Sequence, residues 1–537
     1  MRIATLLLFK LKIMFGENAP GHNTARFFKP VAKHNPLPGS PEETAMFHKL
    51  QKNFSKQFSH SFADPFALKT VVIVPSLTLD AAILSKIKGR VHYEERMLCM
   101  LMLLRMPRTH VIYVTSMPID EIIIDYYLHL LPGITGFHAR QRLTLFNCFD
   151  NSPKSLTQKI LERPRIIERI RQAIPDKEQA HLVCFNVTEL EKTLSVQLGI
   201  PLFGCDPALL CYGTKSGGRQ LFRNCNISMP DGFENLETKY DIVQSLYSLK
   251  IKKPLLRKAV IKLDDGFSGE GNAIFNYEGL DLGTDLKLKI DDELQKRMKI
   301  VAAGVSYDDY IKKFEDMKGV VEEFIEGEIK TSPSVQCRIN PDGGIDIIST
   351  HDQLLDEATG QVFMGAVFPA DDAYKISISK MAESISHRLR TFGVLGRYSI
   401  DFISVKSGNE WKNYAIEINL RKGGTTHPYL MLQFLTDGNY NHNTGEYFTA
   451  NGQKRFYFAT DNLQNDLYKG LTPRDLIDIA IYHQLIYDST RQEGIMFHLL
   501  GALSQYGKTG LVCIAGSREK AIAYYNKVME VLQAECS

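Results

Sequence analysis

The sequence predicts a mixed architecture: a doubly wound α/β domain first, a sheet-rich α+β region next, and a mainly helical C-terminal part. Three observations carry this reading. Short apolar runs between residues 71 and 187 alternate with helix-period segments, the pattern of a parallel sheet covered on both faces. Beyond about residue 206, β-patterned runs follow one another with turn signals between them. The last hundred residues carry helical stretches around GLVCIAGS. At about 100–200 residues per domain, 537 residues leave room for three or four such units.

Residues 1–60 are turn-rich, with prolines at 20, 30, 36, 38 and 41, and read as an extension. The opening MRIATLLLFKLKIMFG is interrupted by lysines and lacks a clear small-residue cleavage site, so a signal peptide is the weaker reading; Met14 is an alternative start. Residues 61–205 form the α/β domain. Its strands are Val71–Val74, HVIYVTS at 110–116, RLTLFNC at 142–148 and AHLVCFNV at 180–187, with helical patterns such as EERMLCMLMLLRM between them. No G-x-G-x-x-G follows the first strand, which argues against a dinucleotide site there. Residues 206–435 carry the runs AVIKL, GVVEEFI, SVQCRIN, IDIIST, YSIDFIS and NYAIEIN, with helices at 215–225, 237–249 and 372–392. Residues 436–537 complete the chain, with a clear helix at 517–535.

Composition narrows the function. Sixty-four Lys and Arg against 61 Asp and Glu leave +3, too small a charge to suggest a nucleic-acid or membrane partner. No run of 18 apolar residues is present to span a bilayer. Nine scattered cysteines without a C-x-x-C pair read as reduced thiols in a cytoplasmic protein and show no zinc pattern.

Five segments carry candidate chemistry. In IDFISVKSGNEWKNYAIEINLR, residues 400–421, a hairpin centred on Asn409 sets Asp401 opposite Glu417, with Asn419 on the same face. Opposed carboxylates on one sheet face call for a neutralising charge, and oxygen-only donors suit Mg²⁺. A solvated strand face is the alternative. In AVIKLDDGFSGEGN, Lys262 ends a strand before a loop with Ser268, Gly269 and Gly271, suited to an anion, or a plain hairpin loop. GVVEEFIEGE, residues 319–328, is an apolar strand ending in Glu322 and Glu323. It reads as an adenine-edge segment or as an edge strand with exposed glutamates. Lys215 and Arg219 lie four apart at a helix start after Thr214. RKGGTTHP, residues 421–428, adds glycines, hydroxyls, Arg421 and His427. His351, Asp352 and Gln353, with Thr425 to His427, are candidates for the substrate end, and His427 for a base.

In this order the five segments resemble the ATP-grasp superfamily of carboxylate–amine ligases. Segments such as GTKSGGR, SPSVQ, STHDQ and EINLRKGGTTHP resemble its bacterial peptide ligases over roughly residues 65–535. The resemblance implies a pre-ATP-grasp domain at 61–205, an ATP-grasp fold of two sheet-containing subdomains at 206–435, and a helical C-terminal domain at 436–537. It implies ATP and two Mg²⁺ ions, with Mn²⁺ as an alternative, and amide formation through an acyl phosphate. A small-molecule or peptide carboxylate donor and an amine acceptor follow, as does a homodimer. It places Lys215 and Lys262 on the ATP phosphates. Glu323, Phe324 and Ile325 would form the adenine hinge, and Glu328 would face the ribose. Asp401, Glu417 and Asn419 would hold the metals, with Arg421 on the γ-phosphate. Arg338 and Arg397 are further catalytic candidates, chosen by charge and location. A phosphotransferase and a nucleotide-binding regulator are the competing functions.

Overall fold

The computed structural model describes residues 35–61, 64–79, 81–266, 271–302, 304–356 and 363–537. Its first sheet is parallel, in the order Leu143–Asn147, Thr109–Thr115, Lys69–Val74, Ala180–Cys184. Val71 and Ile73 enter one apolar cluster, while Val72 and Val74 enter another on the opposite face. The central strand is therefore buried on both sides, as a doubly wound sheet requires. Helices cover both faces, among them Arg90–Arg105 and Glu189–Leu198.

Residues 41–60, expected to belong to an extension, instead lie in the helix Pro41–Ser61, docked on this domain. Phe47 and Phe54 are fully buried, and the Gln51 amide exchanges two hydrogen bonds with the Leu202 backbone. The helix starts at Ser40, whose hydroxyl accepts from Glu43 N–H while Glu43 accepts from Gly39 N–H. Phe47, Leu50, Phe54 and Phe58 form a helical stripe that the proline-rich surroundings obscure.

The second sheet is antiparallel and five-stranded, in the order Gly232–Leu236, Gly319–Glu323, Lys258–Leu263, Asn272–Asn276, Met298–Ile300. The helices Lys239–Lys252 and Leu286–Arg297 pack on one of its faces.

The third sheet has eight strands. Its order is Glu410–Asn419, Gly396–Ser407, Ile329–Ile339, Ile345–Leu355, Phe363–Phe368, Phe456–Gln464, Lys508–Ala515, Gly494–His498. Val335, Cys337 and Ile339, with Tyr398, Ile400 and Phe402, face the buried helices Lys215–Asn224 and Lys375–Thr391. The alternate residues Ser334, Gln336 and Arg338, with Arg397, Ser399 and Asp401, are thereby turned to the opposite, polar face.

The last three strands of this sheet correct the expectation of a mainly helical C-terminal domain. Phe456–Gln464 pairs with Phe363–Phe368, so the C-terminal segment completes the large sheet. GLVCIAGS is a strand because its run is short, apolar and glycine-bounded, and its two neighbours in the sheet carry aromatic runs. The helices Pro473–Tyr482 and Arg518–Glu535 pack outside it. Among the described residues, no helix is long and apolar enough to cross a membrane.

Candidate active site

A cleft separates the five-stranded sheet from the polar face of the large sheet. Lys215, Lys262, Glu322, Gln353, Asp401 and Glu417 are among its lining residues. Its floor is the hairpin of Gly396–Ser407 and Glu410–Asn419. Gly408 takes a left-handed φ of 60° in the two-residue turn, so Ser407 opposes Glu410. That register would set Asp401 against Ile416. A bulge leaves Ile416 unpaired and brings Glu417 opposite Asp401 instead. The expected carboxylate pair thus forms, although the turn centres half a residue earlier than Asn409.

Asp401 Oδ1 accepts from Ser334 Oγ at 2.7 Å and from the Gln353 amide at 3.2 Å; Oδ2 accepts from Asn419 Nδ2 at 2.9 Å. Burial, reinforced by the Glu417 charge, pushes the Asp401 carboxyl up to about 6. Glu417 accepts from Lys215 Nζ at 2.5 Å. Arg421 lies beyond them; burial lowers its pKa, while Glu417 and Asp401 oppose that fall.

The roof is held by a buried ion cluster. Lys262 Nζ lies 2.5 Å from Glu322 Oε2, and Arg219 Nη1 donates to Glu322 Oε1 at 2.8 Å. Burial would raise the Glu322 pKa, but the two cations outweigh it and hold the carboxyl below its ordinary range. Glu322, expected in an adenine-edge segment, lines the cleft as a counter-ion to Lys262, with both oxygens already engaged. Glu323 is similarly used, accepting from Asp231 N–H and pairing with Lys253. What Glu323, Phe324 and Ile325 offer the cleft is mainly backbone and the Phe324 ring, over which Lys330 Nζ lies at 4.2 Å.

Three other expected positions fall elsewhere. Glu328 is exposed and is not among the cleft-lining residues. Arg338 and Arg397 share the polar face with Asp401, but Arg397 is four residues away, roughly 13 Å along the strand. Both line a separate cavity with Lys69 and Lys422, and Arg338 is paired with Asp346 at 2.7 Å. Sharing a face did not bring them to the cleft, because the strand is long. Of the loop candidates, Gly271 lines the cleft, and Ser268 and Gly269 lie outside the described residues. Gly266 and Gly271 close the neck of that loop: a Cβ on Gly271 would sit 3.2 Å from Gly266 Cα.

Residues 208–300 and 282–443 match a family described as IQCH-like, ATP-grasp. Residues 208–443 are an ATP-grasp domain. Beyond it, residues 475–528 match the PGM1 C-terminal domain. An L-propargylglycine–L-glutamate ligase of Streptantibioticus cattleyicolor is 27% identical over 447 residues, 82% of this chain and 89% of that protein. IQ motif-containing protein H of Danio rerio is 21% identical over 445 residues, 74% of this chain; the chain spans only 42% of that relative. A biotin carboxylase from Campylobacter jejuni, solved as a β-γ-ATP complex, superposes with a TM-score of 0.51 at 12% identity, covering 85% of this chain and 89% of that one. This last likeness is one of fold.

The start of the helix Lys215–Asn224 is anchored to the loop of the ATP-grasp domain. Asp264 accepts from Ser216 N–H at 2.8 Å, so the anion at this helix N-terminus is a side chain of the protein itself. Thr214 caps the helix by accepting from Gly217 N–H at 3.0 Å. A Cβ on Gly217 would lie 1.9 Å from the Cys211 carbonyl oxygen. Gly217→Ala is therefore expected to displace Lys215 and weaken ATP binding by about tenfold or more. Calorimetric titration with ATP measures this, and unchanged affinity would detach Lys215 from the nucleotide.

A second cavity continues from the ATP-grasp cleft past the carboxylate pair. It shares Gln353, Asp401 and Glu417 with the cleft and runs on to Arg96, Phe185 and Asp461. The first domain and the C-terminal strands thus both contribute walls. Of the substrate-end candidates, Gln353 and Thr425 line it. His351 is buried against the Tyr457 hydroxyl at 2.6 Å, and Asp352 bonds Tyr374 and Arg518. Thr426 donates to Gln336. His427 is buried, with its Nε2 3.1 Å from that of His498. Sequence reasoning did not single out Arg96, Asp461, His498 or Lys330. Only their three-dimensional placement marks them.

Proposed function

We propose that this chain is an ATP-dependent carboxylate–amine ligase that makes an amide through an acyl phosphate. The observation that carries the reading is the Asp401–Glu417 pair, set where the cleft between the two sheets opens into the second cavity. A phosphate bound over that pair would lie beside a chamber with room for the groups to be joined.

Asp401, Glu417 and Asn419 fit Mg²⁺. They offer oxygen donors, and Asp401 is held reluctant to ionise by burial and by its neighbour, a strain that a cation relieves. Two bound Mg²⁺ ions, or Mn²⁺, would neutralise the phosphate oxygens. The chain's own groups supply the rest. Lys262, steadied by Glu322, presents its ammonium to the phosphates from the roof. Lys215 does so from the floor. Arg421 adds charge on the side of the second cavity, where the transferred phosphoryl group would arrive. A substrate carboxylate attacks the γ-phosphorus, ADP departs, and a neutral amine then attacks the acyl carbon and expels phosphate. The enclosing walls limit hydrolysis of the acyl phosphate. Phe324 and the backbone of 323–325 would take the adenine.

The relative's name pairs two amino acids, and amino acids or short peptides are the substrate class we carry to this chain. All nine cysteines are free thiols, which suits a cytoplasmic enzyme. The test is ADP release from Mg-ATP against pairs of amino acids and short peptides, with products followed by mass spectrometry. Amine-dependent ADP and a product one water lighter than its two substrates are expected. ADP formation with a phosphorylated acceptor and no amide would replace the ligase by a phosphotransferase.

Lys262→Ala is expected to weaken ATP binding by about tenfold to a hundredfold. Arg219 remains to balance Glu322, so the fold survives the change. Nucleotide affinity equal to that of the wild type would remove Lys262 from the site.

A further inference from the structure

Three buried side chains from three separate elements converge beside the second cavity, of which Asp461 is a lining residue. His427 lies in the first turn of the helix Thr426–Thr436. Asp461 sits in the strand Phe456–Gln464, within the irregularity between Thr460 and Leu463. His498 ends the strand Gly494–His498. The side chains are 7%, 9% and 2% exposed. Both imidazoles present Nε2 to each other and to one carboxylate oxygen, Asp461 Oδ1. The three edges are 3.1 Å between the nitrogens, 3.4 Å from His427 and 3.6 Å from His498. The other oxygen, Oδ2, accepts from Arg96 Nη1 at 3.0 Å, which fixes the carboxylate.

The backbone makes room for this arrangement. An irregularity in a strand re-aims a side chain, and Asp461 lies within one. Opposite His498, Gly510 leaves space that a Cβ would fill 2.0 Å from the imidazole Cε1.

We propose that His427, Asp461 and His498 bind one transition-metal cation, with Zn²⁺ the best fit, at a site separate from the Asp401–Glu417 pair. Ligands at about 2.0–2.1 Å around a tetrahedral zinc stand about 3.3–3.4 Å apart, and the three edges here bracket that spacing. Two imidazole nitrogens and one carboxylate oxygen select a borderline ion over Mg²⁺, which takes oxygen ligands. Three protein ligands leave a coordination position for a small ligand or a substrate group. Asp461 lines the second cavity, which puts the cation beside that cavity. Arg96 is the second-layer partner that orients the carboxylate. No ligand of this site coincides with the residues assigned to the nucleotide, so metal binding stands or falls independently of the ligase reading.

The experiment uses the full chain, purified without chelator and with any affinity tag removed. Elemental analysis is expected to find about one transition metal per chain. The Co²⁺-loaded protein is expected to show the intense visible bands of a tetrahedral nitrogen–oxygen site, without the near-ultraviolet thiolate band that binding to any of the nine cysteines would give. His498→Gln keeps a polar group of similar reach and should lose both the metal and the bands, with circular dichroism checking its fold. If that variant does not fold, zinc X-ray absorption of the wild type decides, because scattering from two imidazoles is expected there. A wild-type protein that neither retains nor takes up Zn²⁺ or Co²⁺ overturns the proposal and leaves a hydrogen-bonded triad. Bands that persist in a folded His498→Gln, or a thiolate-ligated metal, overturn it equally.

Discussion

Glu417→Ala is expected to cut amine-dependent ADP formation by about a thousandfold or more while the chain keeps its fold. Glu417 stands on the edge strand of the large sheet, its side chain 25% exposed, so little packing is lost with it. What is lost is one of two carboxylates that face each other across a bulged register. Lys215 would lose its ion-pair partner, but the Asp401 charge remains close enough to compensate it in part. Asp401, relieved of a like charge, then ionises more readily. The variant should therefore be stable, yet too poor in negative charge to hold cations against the phosphates. A coupled ADP assay over a range of Mg²⁺ concentrations measures this, with thermal denaturation run beside it. Normal ADP formation at ordinary Mg²⁺ would remove the pair from the chemistry.

That pair shows how far the sequence was legible. A turn signal and strand periodicity brought Asp401 to Glu417, and only the compensating bulge at Ile416 made the register come out. Lys215 and Lys262, which both line the cleft, could be singled out because each sits beside local backbone features, a capped helix start and a glycine-rich loop. Arg338 and Arg397 failed because charge and strand face say nothing about distance along a strand. Glu322 was legible as a glutamate on an apolar strand, but its partners Arg219 and Lys262 come from other elements. His427, Asp461 and His498 are each more than thirty residues apart, with no short spacing to mark them. The C-terminal strands were hidden for a related reason. A short apolar run reads equally as buried helix or buried strand until a neighbour offers its edge.

Glu322 carries the largest expected effect on stability. Glu322→Ala leaves Lys262 and Arg219, both buried, with half their compensating charge gone, and such a loss costs about 3–5 kcal/mol. Glu234 still accepts from Arg219, so Lys262 bears most of the imbalance. The cost should appear first in the five-stranded sheet, as faster hydrogen exchange in Lys258–Leu263 and its partner Gly319–Glu323. Acid should imitate the substitution. The folded carboxyl is held below its ordinary range, so its contribution is present above the unfolded pKa of about 4.3 and is lost as pH falls through the depressed folded value. Glu322→Gln should remove that acid dependence while keeping the side chain's shape. ATP gives the sharper discrimination. If Lys262 faces the phosphates, bound nucleotide supplies the negative charge that Glu322→Ala took away. ATP should then slow exchange in this sheet more in the variant than in the wild type. Equal protection by ATP in both proteins would mean that Lys262 answers to Glu322 alone, and that the roof of the cleft is a structural ion cluster with no part in holding the nucleotide.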